Sequence, residues 1–198
     1  MGLKPSVTFG LDGVSAAQEK LPVIIRHYPH YESVNAKIVR DSLFANFKEG
    51  EEVHMGEFTS NIRASQTVSR RIHSESIDKI YNWIITILHG SAFLRIFDFT
   101  VDNAWLAVYN KGEYTNKHSH YPYPFSFVYF VKSPKGSSPL VFSSSGKRIK
   151  PEEGKGVIFP GSLFHHVPKN NCDGRIVLAG NLWAIQREHT QNYSFEDI

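Results

Sequence analysis

The stretch Lys155-Gly-Val-Ile-Phe159-Pro160-Gly161-Ser-Leu-Phe-His165-His166-Val-Pro168 decides how this chain reads. Residues 155–159 form a mostly apolar run of strand length. Pro160-Gly161 carries turn chemistry, and a histidine pair follows the turn. Working outward, the same alternation of short apolar runs and breakers holds from residue 93 onward. Strands are predicted near 93–99, 104–110, 125–132, 139–143, 155–159 and 173–184. Lys135-Gly136, Ser145-Gly146, Pro160-Gly161 and Asp173-Gly174 supply turns between them. Many short strands at this spacing predict a sandwich or barrel.

Upstream the period changes. Ile77, Ile80, Tyr81, Ile84, Ile85 and Leu88 recur at helical spacing, with Ser74 or Ser76 to cap the start and Gly90 at the stop. A second helix is predicted over 34–47, with Ala36, Val39, Leu43 and Phe47 on one face, Ser33 as its cap and Gly50 just past its end. The β-branched pair Ile38-Val39 works against it. Residues 20–26 read as a short strand that Pro22 places at an edge or a strand start, and 59–74 as a polar loop. The apolar face of residues 77–88 needs a sheet to cover it, so the expectation is a single domain over 1–198. In it, a helical and mixed flank (1–92) precedes a mainly β core (93–187).

A chain of 198 residues, 41% hydrophobic and 21% charged, is long enough for one ordinary core. Aromatics reach 13%, which suits sheet surfaces and pocket walls. The net charge is only +3, and Lys and Arg are scattered apart from Arg70-Arg71 and Lys147-Arg148, so no nucleic-acid partner is expected. Cys172 is the single cysteine and has no internal disulfide partner, which points to a reducing compartment. No run has the length to span a bilayer, and Met1-Gly-Leu-Lys-Pro-Ser lacks the apolar core of a signal peptide. A cytoplasmic protein with no membrane partner is expected.

Ten histidines remain to be explained. His27, His30, His54, His73, His89 and His189 are scattered and read as surface or satisfied core residues. His118-Ser-His120 and His165-His166 are grouped. In a strand, residues i and i+2 face the same way, so His118 and His120 can reach one ion from one wall. A third imidazole about 45 residues on can come from a facing strand. Non-haem Fe(II) usually takes two His and one carboxylate on one face, and three imidazoles also suit Zn, Cu or Fe.

The flanks of these histidines carry a resemblance. Tyr109-Asn-Lys-Gly112-Glu-Tyr114-Thr-Asn-Lys-His118-Ser-His120 resembles the first metal motif of the prolyl-4-hydroxylase-like 2-oxoglutarate- and Fe(II)-dependent oxygenases. Ser126-Phe-Val-Tyr129-Phe-Val resembles the strand after that motif in small bacterial and phage members. Gly156-Val-Ile-Phe159-Pro160 through His165 resembles the second motif, in which an apolar strand and a Pro turn deliver the distal His. Arg175, ten residues beyond His165, lies where that family has a basic residue for the far carboxylate of 2-oxoglutarate. A guanidinium fork suits that task.

The resemblance covers about residues 104–184. It implies a double-stranded β-helix (jelly-roll) barrel, mainly β with flanking helices. It implies Fe(II) held by His118, His120 and His165, and 2-oxoglutarate held by Arg175 together with Tyr109 or Tyr129. Oxygen would be the other co-substrate; the primary substrate is not named by these motifs. His120 departs from the pattern, because the family has Asp or Glu there; a neutral imidazole cancels no metal charge, so a three-His site is more cationic. Glu113 or Asp173 is the alternative source of a carboxylate. Adjacent strand residues face opposite ways, so one of His165 and His166 should bind, and the family's spacing selects His165. Trp105 and Trp183 read as core or pocket wall.

The same residues also fit a cupin. Gly112, five residues and His118-x-His120 match the opening of the first cupin motif, and Gly154, Pro160 and His165 match the second. The Glu expected after His120 is absent, since Tyr121-Pro-Tyr-Pro-Phe-Ser fills its place. Such a protein would be a dioxygenase without 2-oxoglutarate, an isomerase or a small-molecule binder. A non-enzymatic β protein with a vestigial site is the third reading.

Overall fold

The computed structural model describes residues 22–43, 47–48, 61–67, 71–90 and 96–186. In chain order these form β1 (Ile24–His27), α1 (Tyr31–Ser42), β2 (Phe47–Lys48), β3 (Ile62–Arg63), β4 (Ser65–Thr67) and α2 (Glu75–His89). Then come β5 (Phe97–Tyr109), β6 (Tyr114–His118), β7 (Phe125–Lys132), β8 (Leu140–Phe142), β9 (Arg148–Ile149), β10 (Lys155–Pro160), β11 (His165–Val167) and β12 (Arg175–Gln186). A seven-stranded sheet runs β1-β10-β7-β12-β5-β4-β2, and a five-stranded sheet runs β3-β6-β11-β8-β9. The strand ladders of both are antiparallel. The fold is the double-stranded β-helix that the resemblance implied.

Side chains of the central strands alternate between two apolar layers. Phe127, Tyr129 and Val131 of β7, with Leu178 and Leu182 of β12, meet the helices. Val128 and Phe130, with Val177 and Ala179, face the interior between the sheets. A strand buried on both faces reads as a continuous apolar run, as β7 does. Helix α2 covers the outer layer as the 3.6 period requires. Ile77, Ile80, Tyr81, Ile84 and Leu88 are buried, the Ser74 hydroxyl accepts from the Ile77 amide, and Gly90 ends the helix.

Helix α1 differs from the sequence expectation. It begins at Tyr31 and ends at Ser42, so Ser33 lies inside it. Its buried face is Val34, Asn35, Ile38 and Ser42, while Ala36 is exposed and Leu43 is 77% exposed. The cause is polar. The Asn35 amide donates to the Val131 carbonyl at 2.7 Å, and its oxygen accepts from the Tyr129 hydroxyl at 2.8 Å. These bonds turn the helix by a residue relative to its most apolar stripe. Asn35→Ala leaves both sheet groups buried without partners, an expected cost of about 3 kcal/mol. Thermal unfolding should show a Tm lower by roughly 6–12 °C; an unchanged Tm would mean that Asn35 does not fasten α1 to the sheet.

Other differences follow from polarity masking strands. The two runs expected at 93–99 and 104–110 are one strand, β5, with Thr100 to Asn103 continuous inside it and the register shifting at Asn181/Leu182. The polar 59–74 segment supplies β3, β4 and a bridge from Arg71 to Ala104. β1 is an edge strand starting just after Pro22, as expected. Residues 20–21, 44–46, Gly50, His54, Arg70, 93–95 and His189 lie outside the described residues. Among the described residues no helix is long and apolar enough to cross a membrane.

Candidate metal centre

Three imidazoles converge at one end of the space between the sheets. His118 closes β6 and stands directly across the ladder from His165, which opens β11. His120 lies two residues past the end of β6. Ring centroids are 4.3 Å apart for His118–His165, 4.8 Å for His118–His120 and 5.1 Å for His120–His165. One ligand atom from each can be chosen so that all lie within 4.8 Å of one another.

Two of the rings are oriented by the backbone. His118 Nδ1 donates to the Asn116 carbonyl at 2.8 Å, and His165 Nδ1 to the Leu163 carbonyl at 2.9 Å. A proton fixed on Nδ1 leaves the Nε2 lone pair free, which is the usual second-sphere arrangement for a metal-binding His. Burial lowers the pKa of all three. His165 falls to about 4 and His120 to about 2, with the neighbouring imidazoles adding to the desolvation; for His118 burial is the leading cause. The site therefore presents neutral imidazoles at neutral pH, a donor set suited to Fe, Zn or Cu.

Behind them lies a small cavity of about 40 Å³ between the two sheets. Arg175, the first residue of β12, lines it and is 1% exposed. Its guanidinium carbon sits 4.5 Å from the Tyr109 ring centroid and 5.7 Å from that of Phe130. Nε and Nη1 have no hydrogen-bond partner among the described residues. Burial lowers its pKa, opposed by Tyr109, yet an arginine remains charged. No Asp or Glu lines the cavity among the described residues. A buried cation with orphaned N–H groups is costly unless an anion meets it. The residues present thus fit both a divalent metal at the mouth and a carboxylate deeper in.

Of the residues expected from sequence, His118, His120, His165, Arg175 and Tyr109 line this one cavity. Tyr109 donates or accepts in a 2.6 Å hydroxyl bond with Thr115, a cavity residue the sequence did not single out. Trp105 is a wall residue. Tyr129 is a correction: it points to the opposite face of the sheet, its hydroxyl on Asn35 and its ring against Tyr28 and Trp83. Neither alternative carboxylate lines the cavity. Glu113 accepts from the Asn110 amide and Asp173 from the Lys111 amide, both within turns. His166 turns outward to Ser143 Oγ at 3.2 Å. Cys172 is a half-buried free thiol beside Ser137.

Fold and site together define a double-stranded β-helix with a three-histidine mouth and a buried arginine. No protein-family model and no curated protein matches the sequence. Solved structures do resemble the fold. A viral collagen prolyl hydroxylase from Paramecium bursaria Chlorella virus-1, in complex with 2-oxoglutarate, superposes with a TM-score of 0.57 at 15% identity, covering 80% of this chain and 94% of that one. A Pseudomonas putida prolyl-4-hydroxylase gives 0.58 at 18%, covering 84% and 94%. A 2-oxoglutarate-Fe(II) oxygenase-family oxidoreductase from Burkholderia pseudomallei gives 0.58 at 14%, covering 81% and 84%.

Proposed function

We propose that this protein is an Fe(II)- and 2-oxoglutarate-dependent oxygenase, a hydroxylase of a protein or small-molecule substrate, with oxygen as the other co-substrate. One observation carries the reading: Arg175 is buried, its Nε and Nη1 without partners among the described residues, in the same cavity on which three neutral imidazoles converge. The similarity in fold to 2-oxoglutarate oxygenases agrees with it. His118, His120 and His165 would hold the iron. Arg175 would pair with the far carboxylate of 2-oxoglutarate, and the Tyr109 and Thr115 hydroxyls stand nearby as further donors. When bound, iron and 2-oxoglutarate supply the oxidant, as oxidative decarboxylation to succinate and CO2 delivers electrons to O2. The chain's own contribution is to fix the co-substrate at its remote end, keep two rings in the metal-binding tautomer, and line the cavity with Val128, Leu140, Val167 and Val177 so that water is scarce.

We further read the chain as one domain, with 93–187 as the barrel core and 1–92 as its flank. The lone free cysteine supports a cytoplasmic setting, whether in a bacterial cell or, for a phage protein, in its host.

The test is conversion of 2-oxoglutarate to succinate without added substrate. The expected result is slow turnover that requires Fe(II) and stops on chelation. A second reading, a cupin-type metalloprotein, takes the three imidazoles as the metal site and gives Arg175 no 2-oxoglutarate to bind. That reading expects bound metal and no succinate, and this outcome would displace the oxygenase proposal.

A further inference from the structure

The three histidines are not held in the same way. His118 and His165 each sit on a strand and each lock their ring through Nδ1 to a backbone carbonyl. His120 has neither support. It lies outside the strands, and its ring makes no hydrogen bond among the described residues; its aromatic neighbours are Trp105, at 5.9 Å, and the other two imidazoles. Its direction is therefore set by its backbone.

That backbone is clamped from both sides. The His120 amide donates to the Gly161 carbonyl at 2.7 Å, and its carbonyl accepts from the Tyr123 amide at 2.9 Å. Gly161 in turn donates to the Pro124 carbonyl at 3.2 Å. A Cβ on Gly161 would collide with the Tyr123 carbonyl oxygen, so the two turns touch backbone to backbone.

Tyr123 is then tied to the middle of the large sheet. Its hydroxyl donates to Asp102 Oδ2 at 2.6 Å and accepts from Asn103 Nδ2 at 2.9 Å. Asn103 Oδ1 accepts from Asn181 Nδ2 at 2.7 Å, and Asn181 Oδ1 accepts from the Ser126 hydroxyl at 2.7 Å. Every member donates toward Asp102, so the chain of bonds is polarised along its length and ends on a charge. It crosses β7, β12 and β5. Ser126 and Asn181 are buried. The Tyr123 ring is placed separately, edge-on to Trp183 at 5.7 Å.

We infer that Tyr123 is a positioning residue for His120: its hydroxyl, held by Asp102 and the Asn103-Asn181-Ser126 relay, fixes the turn that aims the third imidazole at the metal. The inference rests on the metal centre proposed above. It assigns a role to a polar strip that runs from buried Ser126 and Asn181 through half-buried Asn103 and Tyr123 to exposed Asp102.

The test uses the full chain, freed of metal, and titrates Co(II) alone. Affinity and the visible spectrum of bound Co(II) are read together with the Tm of each apoprotein. Tyr123→Phe keeps the ring and the backbone and is expected to weaken Co(II) about tenfold, the lower end for losing an outer-sphere partner, and to change the spectrum. Asp102→Ala should do the same, whereas Asp102→Asn retains an acceptor and should restore near-normal binding. In a His120→Ala background, Tyr123→Phe should cost nothing further, because the ring it aims is gone. The inference is overturned if Tyr123→Phe matches the unmodified protein in affinity and spectrum, or if it costs the same factor with and without His120. If Tyr123→Phe does not fold, the Asp102 pair decides: equal binding by the Ala and Asn variants overturns it. A parent protein that takes up no Co(II) defeats the metal centre itself; a parent that binds while the variants are silent defeats only the role of Tyr123.

Discussion

Arg175→Met is expected to remove 2-oxoglutarate binding, leave Fe(II) binding nearly unchanged and raise the thermal stability of the ligand-free protein. The three effects share one cause. The guanidinium is buried against the Tyr109 and Phe130 rings, and two of its nitrogens have no partner among the described residues. Ring faces attract a desolvated cation by about 2 kcal/mol or more, while an uncompensated buried charge costs several kcal/mol. Methionine follows the same stem and packs on the same rings. Without ligand the exchange is therefore expected to be neutral to stabilising, by roughly 1–4 kcal/mol. With ligand the balance reverses. A bidentate, desolvated guanidinium–carboxylate pair is worth at least about 3 kcal/mol to binding, so the Kd should rise roughly 100-fold or more. Calorimetric titration of 2-oxoglutarate onto the Mn(II) protein measures the loss, and metal titration shows whether it is selective. Equal loss of metal and 2-oxoglutarate would mean that Arg175 supports the structure rather than the ligand.

Arg175 is legible in the sequence because a charge heading the apolar run Ile-Val-Leu-Ala is anomalous, and because the family that the motifs resemble has a basic residue at that offset from the distal His. The histidines were legible for a similar reason: imidazoles bracketed by strand and turn chemistry are informative. The side of the sheet on which Tyr129 lies is not legible in the sequence, because β7 is buried on both faces. Phe127 and Tyr129 look outward and Val128 and Phe130 inward, and nothing in an all-apolar run marks which parity belongs to the cavity. Thr115 went unnoticed on β6, whose Tyr114-Thr-Asn-Lys-His118 has no apolar run to announce a strand. It is the ladders to β3 and β11 that make it one. The α1 face failed for the converse reason. The sequence stripe runs through Ala36, Val39 and Leu43, but a buried amide with two long-range partners outweighs one exposed leucine. The Asp102 to Ser126 relay left no sequence trace, since its members come from three strands and a turn far apart in the chain.

The second large effect separates two neighbours. His165→Ala is expected to weaken metal binding by more than about 100-fold, because deleting a ligand must cost more than losing the outer-sphere groups that orient one, themselves worth 10–100-fold. His166→Ala should leave metal binding within the error of the titration. The two side chains lie on opposite faces of β11: His165 is 4% exposed and stands across from His118, while His166 reaches Ser143 on the outside. His165→Ala should also take 2-oxoglutarate binding with it, since the co-substrate's keto-acid end needs the metal, whereas Arg175→Met should not take the metal. That asymmetry orders the site from mouth to floor: the metal binds without the arginine, and the arginine's ligand does not bind without the metal. Metal titration of both histidine variants, each followed by 2-oxoglutarate, reads the order directly. A one-residue slip of β11 would turn His166 inward and reverse the pair of results. If His166→Ala proved the damaging change, the register of β11 against β6 would be wrong, and with it the convergence of the three rings.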